Sequence, residues 1–168
     1  DEIWPATMAS IALHENVPHT LAHGDVHLKN WYVAGNGEMG LGDWQCCGRG
    51  MWARDFAYAV SSALTPENRR TWERELLQMY LADMRAAGGP KVSFDEGWLA
   101  YRQQLVSALT WWTVTLTPPE GLPDMQPRDT TLEFIRRIAT HRYLWRRPVR
   151  RLRGALRCAK RLAHRGGV

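Results

Sequence analysis

His23-Gly24-Asp25-Val26-His27-Leu28-Lys29-Asn30 sets an Asp and an Asn five positions apart in a polar loop, between the β-prone runs Thr20-Leu21-Ala22 and Trp31-Tyr32-Val33. After Trp31-Tyr32-Val33 comes Gly35-Asn36-Gly37, and then Met39-Gly40-Leu41. Asn-Gly tolerates positive φ, so these two runs are expected to pair as a tight antiparallel hairpin. The hairpin returns the chain to Gly42-Asp43-Trp44-Gln45 at its base. There the Asn30 amide and the Asp43 carboxylate are expected side by side, two hard oxygen ligands suited to a divalent cation. Asp25 is expected close by, free to accept a proton. An alcohol oriented by one carboxylate, with metal ligands holding a polyphosphate, is what phosphoryl transfer requires.

The order His-x-Asp-x-x-x-x-Asn, hairpin, Asp-aromatic resembles the catalytic and metal loops of the protein-kinase-like fold. His23-Gly24-Asp25-x-His27-x-x-Asn30 in particular is similar to the aminoglycoside phosphotransferase and choline-kinase-like family, and the likeness extends through Arg54-Asp55-Phe56-Ala57-Tyr58. It implies an α+β, mainly helical chain that forms the C-terminal (large) lobe of that fold, with a small catalytic β-hairpin and a helical bundle. It further implies Asp25 as catalytic base, Asn30 and Asp43 as ligands of Mg2+, ATP as co-substrate and a small-molecule alcohol, aminoglycoside- or choline-like, as acceptor. His27 stands where such loops place a group near the transferred phosphate, with packing as the alternative. His23 would be an internal prop, and Asp55 would support the loop by accepting its backbone N–H groups.

Downstream of Arg54 the apolar spacing turns helical, as in Phe56, Val60 and Leu64, then Leu77, Tyr80, Leu81 and Met84. Helices are expected from about Ala6 to His14, from Arg54, from a Thr65 cap with Pro66 in its first turn to Gly88, from Phe94 to Leu116, and from Arg128 to Trp145. The helical part of the lobe thus spans 54–146, the catalytic loop 23–30 and the metal loop 43–45, within a body of 1–147. Trp72, Trp98, Trp111 and Trp112 are expected on buried helical faces, Trp111-Trp112 with the further option of lining an acceptor pocket. Residues 148–168 form a separate basic tail.

With 168 residues, 45% apolar and 23% charged, the chain suits one folded domain, and no apolar run is long enough to cross a bilayer. Its net charge of +5 hides a division: residues 1–135 carry ten Lys and Arg against seventeen Asp and Glu, while residues 136–168 carry twelve Lys and Arg and no acid. A basic, amphipathic helix over 145–165 is therefore expected, able to meet a membrane surface or nucleic acid, though docking on the acidic body is preferred. Three cysteines, Cys46, Cys47 and Cys158, build neither a disulfide framework nor a zinc pair, so a reducing, cytoplasmic setting is expected and Cys46-Cys47 are read as small buried hydrophobes. Gly35-Asn36-Gly37-Glu38-Met39-Gly40 spells GxGxxG but lies between strands, so it reads as a turn. His23, Asp25 and His27 as a zinc chelate leave Asn30 and Asp43 unexplained.

Residues 1–28 contain no Lys and no Arg, so the Lys that pairs with the α- and β-phosphates in kinase-like enzymes is not found there. The expectation is a truncated piece of a longer enzyme or a degenerate relative, with little or no kinase activity alone. The alternative from another class is a non-catalytic interaction module whose Arg-rich tail binds anionic partners.

Overall fold

The computed structural model describes residues 3–13, 17–116, 120–121, 125–142 and 144. It is mainly helical, with α1 (Ile3–Ala12), α2 (Trp52–Ala63), α3 (Pro66–Ala86), α4 (Phe94–Val114) and α5 (Arg128–Ala139). Four short strands, β1 (Thr20–Ala22), β2 (Trp31–Val33), β3 (Met39–Leu41) and β4 (Gly48–Gly50), lie between α1 and α2. Local chemistry explains several of these boundaries. Thr65 Oγ1 accepts from Asn68 N at the start of α3, with Pro66 in its first turn. Ser93 and Glu96 form a reciprocal capping box at the start of α4, a device worth about 1 kcal/mol.

The strands make two separate antiparallel pairs. β2 and β3 pair with Trp31 opposite Leu41 and Val33 opposite Met39. Ala34 N donates to the Glu38 carbonyl (2.8 Å), and within the turn only Gly37 takes positive φ, at +85°. The connection is therefore a three-residue loop ending on a left-handed glycine, not the two-residue turn that Asn36-Gly37 suggests. This also settles the GxGxxG letters as a turn. The second pair, β1 with β4, joins Thr20 to Gly50 and Ala22 to Gly48. It clamps the ends of residues 23–47 together.

Beneath the strands, α4 packs along α2 and is flanked by α1, α3 and α5. Aromatic rings from α2, α3 and α4 interlock there: Phe56 meets Tyr101 edge-on at 5.4 Å, and Trp52 stacks on Tyr80 at 5.5 Å. Helix α3 buries a stripe four residues apart, Arg69, Glu73, Leu77 and Leu81, so half of its inward face is charged. Those charges are paired. The Glu73 carboxylate accepts from Tyr101 Oη (3.0 Å) and from His141 Nε2 (2.9 Å), with Arg69 Nε at 3.9 Å. Arg69 also donates to the Arg137 carbonyl.

Several expectations are corrected. Cys46 and Cys47 are exposed, because each follows a tight turn over the loop instead of a core strand. Trp98 and Trp112 are buried, but Trp72 and Trp111 are exposed, since adjacent helical positions such as 111 and 112 point about 100° apart. Helix α1 begins at Ile3 instead of Ala6. α2 begins two residues before Arg54. α5 ends at Ala139, where Thr140 N donates to the Arg136 carbonyl and Thr140 Oγ1 to the Arg137 carbonyl. The ends expected at His14 and Trp145, and the basic tail over 148–168, lie outside the described residues.

Candidate active site

Helix α2 carries the polar loop on its first turns. Asp55 accepts from His23 N (2.6 Å) through Oδ2 and from Gly24 N (3.1 Å) through Oδ1, so one carboxylate grips two successive peptide groups. That grip needs the backbone to bend sharply at Gly24, whose φ is +84°. A Cβ there would stand 2.5 Å from the Cys46 carbonyl oxygen. Gly24→Ala therefore meets both a left-handed backbone and a collision with main chain. We expect it to cost about 2 kcal/mol, read as a melting temperature lower by about 4–8 °C.

His23 is buried, with the Trp44 ring against it at 4.6 Å. Its Nδ1 accepts from Asp25 N (3.2 Å), which leaves the ring proton on Nε2, donated to the Gly42 carbonyl (2.8 Å). One imidazole thus ties the loop to the segment that leads into Asp43. Asn30 makes a second tie, because Gly42 N donates to its carbonyl (2.7 Å). The ends of the loop and the hairpin are held side by side by these two bonds.

Asp25 lies at the centre. Tyr58 Oη donates to Oδ1 (3.1 Å), and Asn30 Nδ2 donates to the Asp25 carbonyl (2.8 Å) with Oδ2 at 3.4 Å. His27 Nε2 stands 3.6 Å from Oδ2. The His27 ring is buried and edges onto Trp112 at 5.7 Å. Its Nδ1 accepts from Lys29 N (3.2 Å) and caps the turn at Leu28–Asn30, so its proton too sits on Nε2, facing the carboxylate. Burial lowers the His27 pKa, against the pull of the nearby Asp25 and Asp43 carboxylates. The ring is therefore a neutral donor near neutral pH.

Asp43 has φ +58°, the sole left-handed residue other than glycine among the described residues. Such a conformation costs about 1 kcal/mol in most L-residues, and Asp is among the few that adopt it singly. Its carboxylate is exposed and has one long contact, Gln45 Nε2 at 3.5 Å. On Asn30 the amide nitrogen is spent on Asp25. The amide oxygen of Asn30 and the carboxylate of Asp43 are hard donors of the kind that suits Mg2+, which commonly takes one or two protein oxygens and completes its shell with phosphates and water. Among the described residues no three His, Cys, Asp or Glu side chains are grouped to hold a metal. A zinc chelate of His23, Asp25 and His27 is disfavoured further because His23 has both ring nitrogens engaged.

A family model described as the phosphotransferase enzyme family matches residues 1–90, which include the loop, the hairpin, Asp43, α2 and α3. The chain belongs to that family. No curated protein and no solved structure gives a match to it. In this phosphotransferase the residues that the sequence singles out lie on three connected pieces: the loop (His23, Asp25, His27, Asn30), the base of the hairpin (Asp43) and the first turn of α2 (Asp55). One participant went unassigned in the sequence reading, Tyr58; Trp112, expected on a buried face, also backs the rings of His27 and Tyr58. The spacing Asp55-x-x-Tyr58 puts both side chains on one face of α2, which is the signal that could have found Tyr58.

Proposed function

We propose that this chain is the large lobe of a protein-kinase-like phosphotransferase, which passes the γ-phosphoryl group of ATP to a hydroxyl of a small molecule in the cytoplasm. The observation that carries this reading is the joining of Asp25, Asn30 and the Gly42-Asp43 corner by direct hydrogen bonds. Asp25 orients the acceptor hydroxyl and takes its proton. Asn30 and Asp43 would hold Mg2+, which when bound neutralises charge on the nucleotide phosphates. His27 presents its Nε2 proton on the side of Asp25 that Asn30 also faces. Asp55 and His23 keep the loop in register and touch no reactant.

The acidic balance of residues 1–135 favours a cationic acceptor, an amino-alcohol or amino-sugar. Residues ahead of the loop supply no cation for the α- and β-phosphates, so in this reading a nucleotide-covering lobe completes the enzyme. The test is ATP consumption by the full-length reading frame, with Mg2+, against amino-sugars, amino-alcohols and neutral sugars. Turnover with one of these classes supports the reading, and ATP consumption indifferent to every alcohol and to Mg2+ refutes it.

Asp43→Gly separates the site from the fold. Glycine takes the left-handed conformation freely, so the variant is expected to be more stable by about 1 kcal/mol. It should nonetheless lose the Mg2+ dependence of nucleotide binding. Calorimetric nucleotide titrations with and without Mg2+, beside thermal melts, check both signs.

A further inference from the structure

We infer that Tyr58 is a positioning residue for Asp25: its hydroxyl occupies Oδ1 and so leaves Oδ2 as the oxygen presented to an acceptor. The inference rests on the proposed role of Asp25 and adds a residue that this role does not by itself require. Tyr58 is 4% exposed and its ring edges onto Trp112 at 5.9 Å, so the phenol cannot swing away without disturbing the core. Among the described residues its hydroxyl donates to Asp25 Oδ1 at 3.1 Å. Burial and the adjacent carboxylate push the Tyr58 pKa far above its ordinary value, so the group is always a donor.

The remaining contacts of Asp25 give this bond its directional meaning. Asn30 Nδ2 and His27 Nε2 both lie on the Oδ2 side, at 3.4 and 3.6 Å, too long to fix the carboxylate by themselves. Tyr58 makes the shortest hydrogen bond to the carboxylate oxygens and lies on the opposite side. A carboxylate with one oxygen tied down and the other loosely held keeps a defined plane yet has a lone pair free for the substrate. Asp55, one helical turn earlier, holds the backbone of the same loop. Helix α2 therefore fixes the loop at two levels, main chain through Asp55 and carboxylate through Tyr58.

Tyr58→Phe keeps the ring and its packing and removes the bond. In the full-length protein we expect kcat to fall about tenfold with the nucleotide KM unchanged, the signature of lost orientation instead of lost binding. Because Tyr58 acts through Asp25, the same substitution in an Asp25→Asn background is expected to cause less than about a twofold further loss, so the two effects do not add. Equal losses in both backgrounds would overturn the inference, as would a change in KM alone. A readout independent of turnover separates this from failure of the functional reading. In protein carrying 13C-labelled tyrosine, the Tyr58 Cζ resonance should move in Asp25→Ala and stay in place in Asp43→Gly. A moving resonance together with an active Asp25→Asn enzyme would leave the bond standing and remove the catalytic role of Asp25, while an unmoved resonance would refute the positioning role outright. Should Tyr58→Phe fail to fold, 3-fluorotyrosine at position 58, a stronger donor of similar size, is expected to move the Cζ resonance of residue 58 less in the Asp25→Ala protein than in the Asp25-containing one, and equal displacements in the two would overturn the inference.

Discussion

Asp25→Asn lowers turnover by about 10²–10⁴-fold in the full-length enzyme, the range for loss of a general base. The substitution is nearly isosteric, so the effect arises in chemistry and not in folding. An Asn side chain still accepts from Tyr58 Oη through its amide oxygen. Its NH2 group would then replace Oδ2, the atom that now faces Asn30 Nδ2 and His27 Nε2. Three donors would converge there with no acceptor among them. The amide can neither take a proton from an alcohol nor align one as a charged acceptor does. Initial rates at saturating ATP and acceptor measure the effect, with a thermal melt to show that the fold is kept. Turnover near that of the unmodified enzyme would remove Asp25 from the reaction.

The second large effect is on stability. Glu73→Ala leaves Arg69 as a buried charge without its carboxylate and removes the acceptor that Tyr101 Oη and His141 Nε2 share, leaving those two in contact with each other at 2.9 Å. Breaking a buried pair in this one-sided way costs about 3–5 kcal/mol, a large share of what a domain of this size possesses. Equilibrium unfolding in urea should show the loss as a lower midpoint with an unchanged slope. The same cluster sets the response to acid. Burial pushes the Glu73 carboxyl up, but hydrogen bonds from His141 and Tyr101, with Arg69 nearby, outweigh it and leave its pKa below the ordinary 4.5. Its contribution is present above that value and is lost as pH falls through the folded one. For His141 burial is the dominant cause and lowers the pKa from 6.5, despite the pull of Glu73. The unfolded chain therefore binds the His141 proton first, and stability declines as pH drops below about 6.5. Melting temperatures from pH 8 to pH 2 are expected to fall in two stages, the first below about pH 6.5 and the second below about pH 4.5, and Glu73→Gln should flatten the second.

How legible this was in the sequence depended on whether the signal was local. Asp25 and Asn30 stand on one short loop, so their spacing sufficed to bring them within hydrogen-bond reach. Thr65-Pro66 declared the start of α3 for the same reason, whereas the Ser93–Glu96 box that starts α4 went unused although it is equally local. Strand β4 did not declare itself, because Gly48-Arg49-Gly50 has no β-prone side chain and exists only through its pairing with β1, about thirty positions away. Arg69 and Glu73 are charged, and nothing in their neighbouring sequence signals burial. Their burial is visible only once Tyr101 and His141 arrive from elsewhere in the chain. Tyr58 reads as a core aromatic unless its spacing from Asp55 is used, since the packing of its ring and the bond of its hydroxyl coincide in one side chain. The exposure of Cys46 likewise follows from the turn that lays its carbonyl over Gly24.

The ladder between β1 and β4 has a consequence for how such a protein can change over generations. It pins both ends of residues 23–47 at one place, and nothing lies within 4 Å of the positions a Cβ would take at Gly35 or Gly37. Extra residues inserted at that tip would extend into solvent while the anchored end stayed where it is. A lineage can therefore lengthen the far end of this segment to meet new molecules without reopening the arrangement on which its chemistry depends.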